Sequence, residues 1–415
     1  MLFNSALFVF LFLPVVLAGY YLVLWLGFRR WLFVFLVLAS LAFYSVWNPP
    51  YVILLIVSVA GNYLFGLWVE RAREGSGKTA LPLTLGIVAN LAVLGWYKYA
   101  GFFAETLNSL GAGFGAIDII LPLAISFYTF QQIAYLTDVA RGEVSSGGIA
   151  RYATFVIFFP QLIAGPIVHY REMMPQFFGG NLGRFWRADI TIGLVIFSIG
   201  LFKKTVIADT AAGFSSPVFD AVAAGESIGL LASWKAAICY TFQLYFDFSG
   251  YSDMAIGLAR MFGIRLPMNF HSPLRASNIA DYWRRWHMTL QQFIVSYMYQ
   301  PLTLPLARWS AKKGFGKWPT FWVTVAVPTF TIFVVIGLWH GAGWTFILFG
   351  VMHGAYLAVN AFWQLYRKKA RKGTTPALWN KVIAHTLTLL AVVFANVVFR
   401  AESVRDAVTI WGGMV

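Results

Sequence analysis

The sequence predicts an all-α, polytopic transmembrane bundle of about 10 to 11 membrane helices with re-entrant or broken segments. Three observations predict it. The 415 residues are 59% hydrophobic and 18% aromatic but only 11% charged, where a soluble domain devotes about a quarter of its residues to charge. Residues 1–28, 31–69, 152–170, 286–307 and 318–366 hold no Asp, Glu, Lys or Arg, and about 20 mostly apolar residues span a bilayer. The basic residues cluster between these runs, as they do in cytoplasmic loops, so the membrane accounts for the net charge of +15 without nucleic acid.

Taken in order, helices are expected near 5–26, 31–47, 50–69, 80–99 and 119–140, then near 190–208, 229–250, 320–339, 344–366 and 380–399. The first run is too long for a cleaved signal peptide and lacks a small-residue cleavage site, so it reads as a retained helix. Basic clusters at 29–30, 71–78, 141–151, 260–285, 308–317 and 367–372 alternate with acidic stretches carrying Glu105, Asp118, Asp209, Asp220 and Glu226. Placing the basic clusters in the cytoplasm puts both termini outside. Two segments resist a simple crossing: 152–170 is interrupted by Pro160 and Pro166, and 286–307 by Pro301 and Pro305. Freed backbone groups at membrane depth are tolerated only in protein or beside a wet cavity, which suits re-entrant or broken helices. The polar stretch beginning Arg367-Lys368-Lys369 reads as cytoplasmic flank. No internal repeat, linker or soluble domain interrupts the chain, so 1–415 is expected to be a single membrane-embedded domain.

Several chemistries are excluded early. The single cysteine, Cys239, permits neither an intrachain disulfide nor a cysteine cluster. No close histidine pair has metal-ligand spacing, and no glycine-rich turn carries the lysine and hydroxyl of a phosphate loop, so no metal is expected. The remaining chemistry gathers in three places.

Between Glu226 and Glu402 the only carboxylates are Asp247, Asp253 and Asp281, and ionisable groups at membrane depth face cavities or partners. In the stretch from Tyr245 to Asp253, Asp247 and Tyr251 lie one turn apart, so the carboxylate could take the phenol hydrogen bond and orient a pocket wall; a capped helix end is the plainer alternative. Ser249 and Asn269 add polar groups along the same route. In Asn278 to His287, Asp281 and Arg285 can pair at i and i+4, leaving Arg284 and His287 on a neighbouring face. That face could anchor an anionic or thioester-bearing donor, or form an interfacial Trp/Arg belt. In Gly337-Leu338-Trp339-His340-Gly341, a histidine stands within a long uncharged run, flanked by glycines that let a backbone or a substrate come close. An imidazole there can take a proton from a hydroxyl near neutral pH, or merely bond a neighbouring helix. His353, one helix later, could line the same cavity; His169, His271 and His385 read as loop or helix-end residues.

At these residues the sequence resembles the membrane-bound O-acyltransferase family, in the bacterial branch typified by the alginate O-acetyltransferase membrane subunit. The likeness runs over nearly the whole chain: Met1-Leu2-Phe3-Asn4-Ser5, Ala164-Gly165-Pro166, Gly200-Leu201-Phe202-Lys203-Lys204, Phe246 to Gly257, Tyr282-Trp283-Arg284-Arg285-Trp286-His287, and Gly337 to Gly341. The resemblance implies a helical membrane fold with a central tunnel, with the family's two histidines falling on His287 and His340 as catalytic residues. It further implies a cytoplasmic acyl thioester such as acetyl-CoA as donor, no bound cofactor, and delivery across the bacterial inner membrane. The expected partners are membrane lipid, an extracytoplasmic O-acetyltransferase or acetyl carrier, and a cell-envelope polysaccharide as final acceptor. Asp247, Ser249, Tyr251, Asn269, Arg284, Arg285, Trp339 and His353 are the expected substrate-binding residues.

The sequence departs from that branch after His287. It reads Ile294-Val295-Ser296-Tyr297-Met298-Tyr299 where relatives carry an Arg-Asp-Tyr stretch, and it ends soon after Arg400 where many relatives continue. Two other functions stay open at this point: D-alanyl transfer to teichoic acid, and a transporter or channel with a histidine relay.

Overall fold

A computed structural model describes residues 1–75, 77–115, 117–179, 182–367 and 378–415, and among these residues all regular structure is helical. A helix stands at each of the ten expected positions. Seven helical runs among the described residues are long and apolar enough to cross a membrane: Phe8–Trp25, Pro50–Gly75, Ala80–Ser109, Trp186–Ala223, Lys317–His340, Trp344–Tyr366 and Leu378–Arg400. The other three differ in a physical way. Arg29–Ser45 and Ile125–Arg141 have 17 residues each, and Leu230–Met261, though 32 residues long, carries the polar motif around Asp247. The basic stretch after Arg367 lies outside the described residues.

The chain divides into two compact units. The first comprises Met1–Phe202 and Gly250–Met268. Its centre is aromatic: Phe3, Phe8, Phe43, Phe159 and Phe262 are all essentially inaccessible. Polar groups buried among apolar helices must be satisfied by other protein groups, and here amides do so. Asn62 donates to Gln132 Oε1 at 2.9 Å and exchanges bonds with Asn90, tying Pro50–Gly75 to Ala80–Ser109 and Ile125–Arg141. Tyr20 and Tyr21 donate to the carbonyls of Phe262 and Met261, and Arg260 pairs with Asp189 at 2.7 Å. The stretch 152–170 is broken as its prolines suggested: Ile149–Ile157 stops at Phe158, Phe159–Leu162 makes one further turn with Pro160 at its start, and Pro166 falls in irregular chain.

The second unit comprises Lys203–Ser249 and Asn269–Val415. Its frame is the hairpin of Val327–His340 and Trp344–Arg367, backed by Leu378–Arg400. The hairpin closes on glycine: a Cβ on Gly337 would collide with the Phe346 carbonyl, and one on Gly350 would collide with that of Phe333. Gly341 lies directly under the Phe346 ring. The glycines around His340 therefore admit a neighbouring helix and an aromatic ring. The segment 286–307 is broken at Trp286 and His287, then runs helically through a π turn at Val295–Tyr299, with Pro301 and Pro305 accommodated in Gln300–Lys312. A capping box, Ser403 with Asp406, starts Val404–Gly413.

Gly350→Ala should lower the melting temperature of the detergent-solubilised protein, because overpacking a tight helix contact costs roughly 1–3 kcal/mol. Gly61→Ala, where a Cβ meets open space, should leave it equal or raise it. Size-exclusion after a temperature ramp measures both; equal shifts would remove the close-approach explanation.

Candidate active site

Asn278 caps the two-turn helix Ile279–Arg285, its side-chain oxygen accepting the Asp281 N–H at 2.9 Å. The helix stops when Trp286 turns extended and His287 takes φ 46°, ψ 54°. This left-handed conformation crowds the Cβ of any residue but glycine and persists only where the surroundings over-determine it. Two backbone bonds do so: His271 N–H donates to Arg285 O, and Met288 N–H donates to Asn269 O, each at 2.9 Å. The segment 269–271 thus holds the break open, and a new helix, Met288–Ile294, starts from His287.

The ring this turn presents is 1% exposed. Its Nδ1 lies 3.0 Å from Asn269 Oδ1, which also accepts from Thr289 Oγ1 at 2.9 Å and from Thr289 N–H at 3.4 Å. Phe248 packs its edge on the imidazole at 4.7 Å between centroids. Nε2 is buried and has no hydrogen-bond partner among the described residues. His287 lines a cavity of about 260 Å³, together with Trp283, Arg284, Gln291, Tyr299 and Ile336. Ligand pockets start near roughly 300 Å³, so this space suits an acyl-sized group and part of its carrier arm, not a polymer.

Asp281 pairs with Arg285 at 3.0 Å, as its spacing suggested, while Arg284 lies 3.9 Å away with its side chain 65% exposed and its residue lining the cavity. Burial pushes the Asp281 carboxyl up, but the Arg285 hydrogen bond, the Ser277 N–H and the arginine charges outweigh it and hold the carboxyl below its ordinary value.

His340 is half-buried at the end of its helix and does not line that cavity. Its ring meets Trp339 at 4.9 Å, Phe399 at 5.1 Å and Phe349 at 5.9 Å. Trp339 lies 6.5 Å from His287, and Phe349 lies 4.5 Å from His353, so one aromatic ring separates His340 from each of the other two histidines. His353 is buried, and its Nδ1 accepts the Trp283 indole N–H at 3.2 Å. An indole nitrogen only donates, so the neutral His353 ring carries its proton on Nε2.

The first motif behaves differently from expectation. Asp247 takes no phenol; it pairs with Lys204 at 2.8 Å, and the same ammonium reaches Asp209 at 2.7 Å. Tyr251 stacks on Phe3 at 4.8 Å, with a hydroxyl that is buried and unpaired among the described residues. A full positive charge outcompetes a neutral hydroxyl for a carboxylate. Ser249 is buried with its Oγ unpaired among the described residues, and Asn269 is buried and bonded to His287. Thr289, Gln291 and Phe248 were not singled out in the sequence. Thr289 lies two residues past His287, but only the left-handed turn brings its N–H back onto Asn269.

Asp281→Asn should destabilise the protein at neutral pH. Because the folded carboxyl is held low, its contribution is present above the ordinary carboxylate range and is lost as pH falls through the lowered value. The melting-temperature gap between wild type and variant should therefore close in acid; a gap that persists unchanged would assign the loss to packing.

With this geometry in place, the comparisons with known proteins fall into one pattern. Residues 139–398 match the model of the MBOAT, membrane-bound O-acyltransferase family. The Peptidoglycan O-acetyltransferase of Helicobacter pylori is 42% identical over 100% of this chain and 80% of its own length. The Probable alginate O-acetylase AlgI of Pseudomonas aeruginosa is 36% identical over 98% and 73%. The Teichoic acid D-alanyltransferase of Bacillus subtilis is 26% identical over 69% and 70%. This chain is a multi-pass membrane protein that belongs to the membrane-bound O-acyltransferase family, in its alginate O-acetylase branch, and is an O-acyltransferase.

Proposed function

We propose that the protein moves an acetyl-sized acyl group from a cytoplasmic thioester, acetyl-CoA or another acyl carrier, to a hydroxyl of a cell-envelope polysaccharide, directly or through an extracytoplasmic partner. It works in the bacterial inner membrane. The observation that carries this reading is a buried imidazole, His287, whose Nε2 lacks a partner among the described residues and which lines a small cavity shared with Arg284. The relatives named for O-acetylation of peptidoglycan and alginate support the acyl group and the class of acceptor.

In the proposed step the acceptor oxygen attacks the thioester carbonyl, the C–O bond forms and the C–S bond breaks. The hydroxyl proton passes to His340 and then to the departing sulfur, leaving an ester and a free thiol. Arg284, exposed at the edge of the cavity, holds the anionic carrier at the cytoplasmic side, while Arg285 stays paired with Asp281. His287 lines the cavity that takes the acyl end of the donor, and its ring and that of His340 pack on the same indole. Trp339 supplies that indole, and His353 packs on Phe349, which also meets His340.

Membranes containing the protein should transfer labelled acetyl from acetyl-CoA into envelope polymer. His340→Ala and His287→Ala should each cut that transfer by about 10²–10⁴-fold with normal membrane insertion. Full activity in a normally expressed His340→Ala variant would remove its role as base. Labelled D-alanine in the polymer instead of acetyl would replace the cargo, and solute uptake with no covalent product would replace the function.

A further inference from the structure

We propose that Asn269 is a positioning residue that fixes the proton of His287 on Nδ1 and thereby leaves Nε2 as the bare lone pair of a ring that lines the cavity. The assignment follows from donors and acceptors. The backbone N–H of Thr289 can only donate, and the Asn269 side-chain atom it faces at 3.4 Å must therefore be the amide oxygen. Turning the amide over would aim its NH₂ at another donor. The same oxygen lies 3.0 Å from His287 Nδ1, and a carbonyl oxygen can only accept, so Nδ1 carries the hydrogen. The ring packs against that amide and the rings of Phe248, Phe270 and Trp339, with His340 nearby, and the cavity it lines holds Arg284 and no carboxylate among the described residues. A second proton would leave an uncompensated buried charge among them. The neutral ring has one N–H, and it is spent on Asn269.

Asn269 acts twice at this turn. Its backbone carbonyl accepts the Met288 N–H at 2.9 Å, which holds His287 at φ 46°, and its side chain sets the ring's proton. One of the two backbone bonds that hold the turn and the partner that sets the tautomer thus come from one residue. Nε2, buried without a partner among the described residues, is then an acceptor of hydrogen bonds. A ligand group bearing O–H or N–H is stabilised against it, and a carbonyl oxygen is repelled. His353, with its proton on Nε2 by virtue of Trp283, has the opposite polarity. The catalytic consequence rests on the acyl-transfer reading above; the tautomer does not.

Nitrogen-15 spectra of the histidine-labelled protein in nanodiscs, with His287→Gln used to assign the His287 signals among the 6 histidines, read the tautomer directly. The expected result is a protonated, pyrrole-type Nδ1 and an unprotonated, pyridine-type Nε2. Asn269→Leu, which keeps the volume and removes the acceptor, should abolish that single pattern and lower acetyl transfer by about 10- to 100-fold. Asn269→Asp, which keeps an oxygen facing Nδ1, should retain the Nδ1 proton and transfer faster than the Leu variant. A wild-type spectrum with the proton on Nε2, or an Asn269→Leu variant with wild-type pattern and rate, overturns the proposal. If Asn269→Leu fails to fold, the wild-type spectrum and the Asp variant still decide it. The expected spectrum in a protein that transfers no acyl group would uphold the tautomer and overturn the function.

Discussion

A polar atom taken out of water among apolar helices must find a partner in the protein, because nothing else is there to hydrogen-bond it. Most of this structure answers to that constraint. Asn62 and Asn90 exchange amide hydrogen bonds and Asn62 donates to Gln132, the phenols of Tyr20 and Tyr21 end on carbonyls, and Arg260 is neutralised by Asp189. The His287 Nε2, on a ring that lines a cavity, is among the buried polar atoms left without a partner among the described residues. Such an atom is costly to keep, and the cost is recovered only when a ligand brings it a hydrogen.

The same constraint separates the charged residues into two kinds. Lys204 pairs with both Asp209 and Asp247, so the carboxylate of the central motif is engaged within the protein. Asp281 does the same for Arg285, but at 3.9 Å it holds Arg284 only weakly, and that guanidinium remains mostly in solvent at the edge of the cavity. Two adjacent arginines thus differ in role because a helix places only one of them well over a carboxylate.

Aromatic residues set the spacing of the three histidines. Trp339 stands between His287 and His340, and Phe349 between His340 and His353. Rings of this size hold imidazoles apart without offering them strong hydrogen bonds, so each histidine's protonation is set by its own polar partner: an amide for His287, an indole for His353. The hairpin that carries two of them can close this tightly because Gly337 and Gly350 have no Cβ.

The sequence by itself determined the membrane class, the positions of the helices, the proline break within 152–170, the Asp281–Arg285 pair and the candidate histidines, because hydropathy, spacing along a helix and side-chain chemistry are local properties, whereas 286–307 breaks at His287 and not at its prolines. It could not determine which partner each polar group chooses. Asp247 was one turn from Tyr251 along the chain, yet a lysine 43 positions earlier took the carboxylate. Asn269 read as a wall of the route, and the left-handed turn at His287 made it the ring's hydrogen-bond partner. His287 and not His340 lines the described cavity, since that depends on how short broken helices stack on the hairpin. Pairings between residues far apart in the chain are settled by competition in three dimensions, where a charge beats a dipole and a fixed N–H decides which way an amide faces.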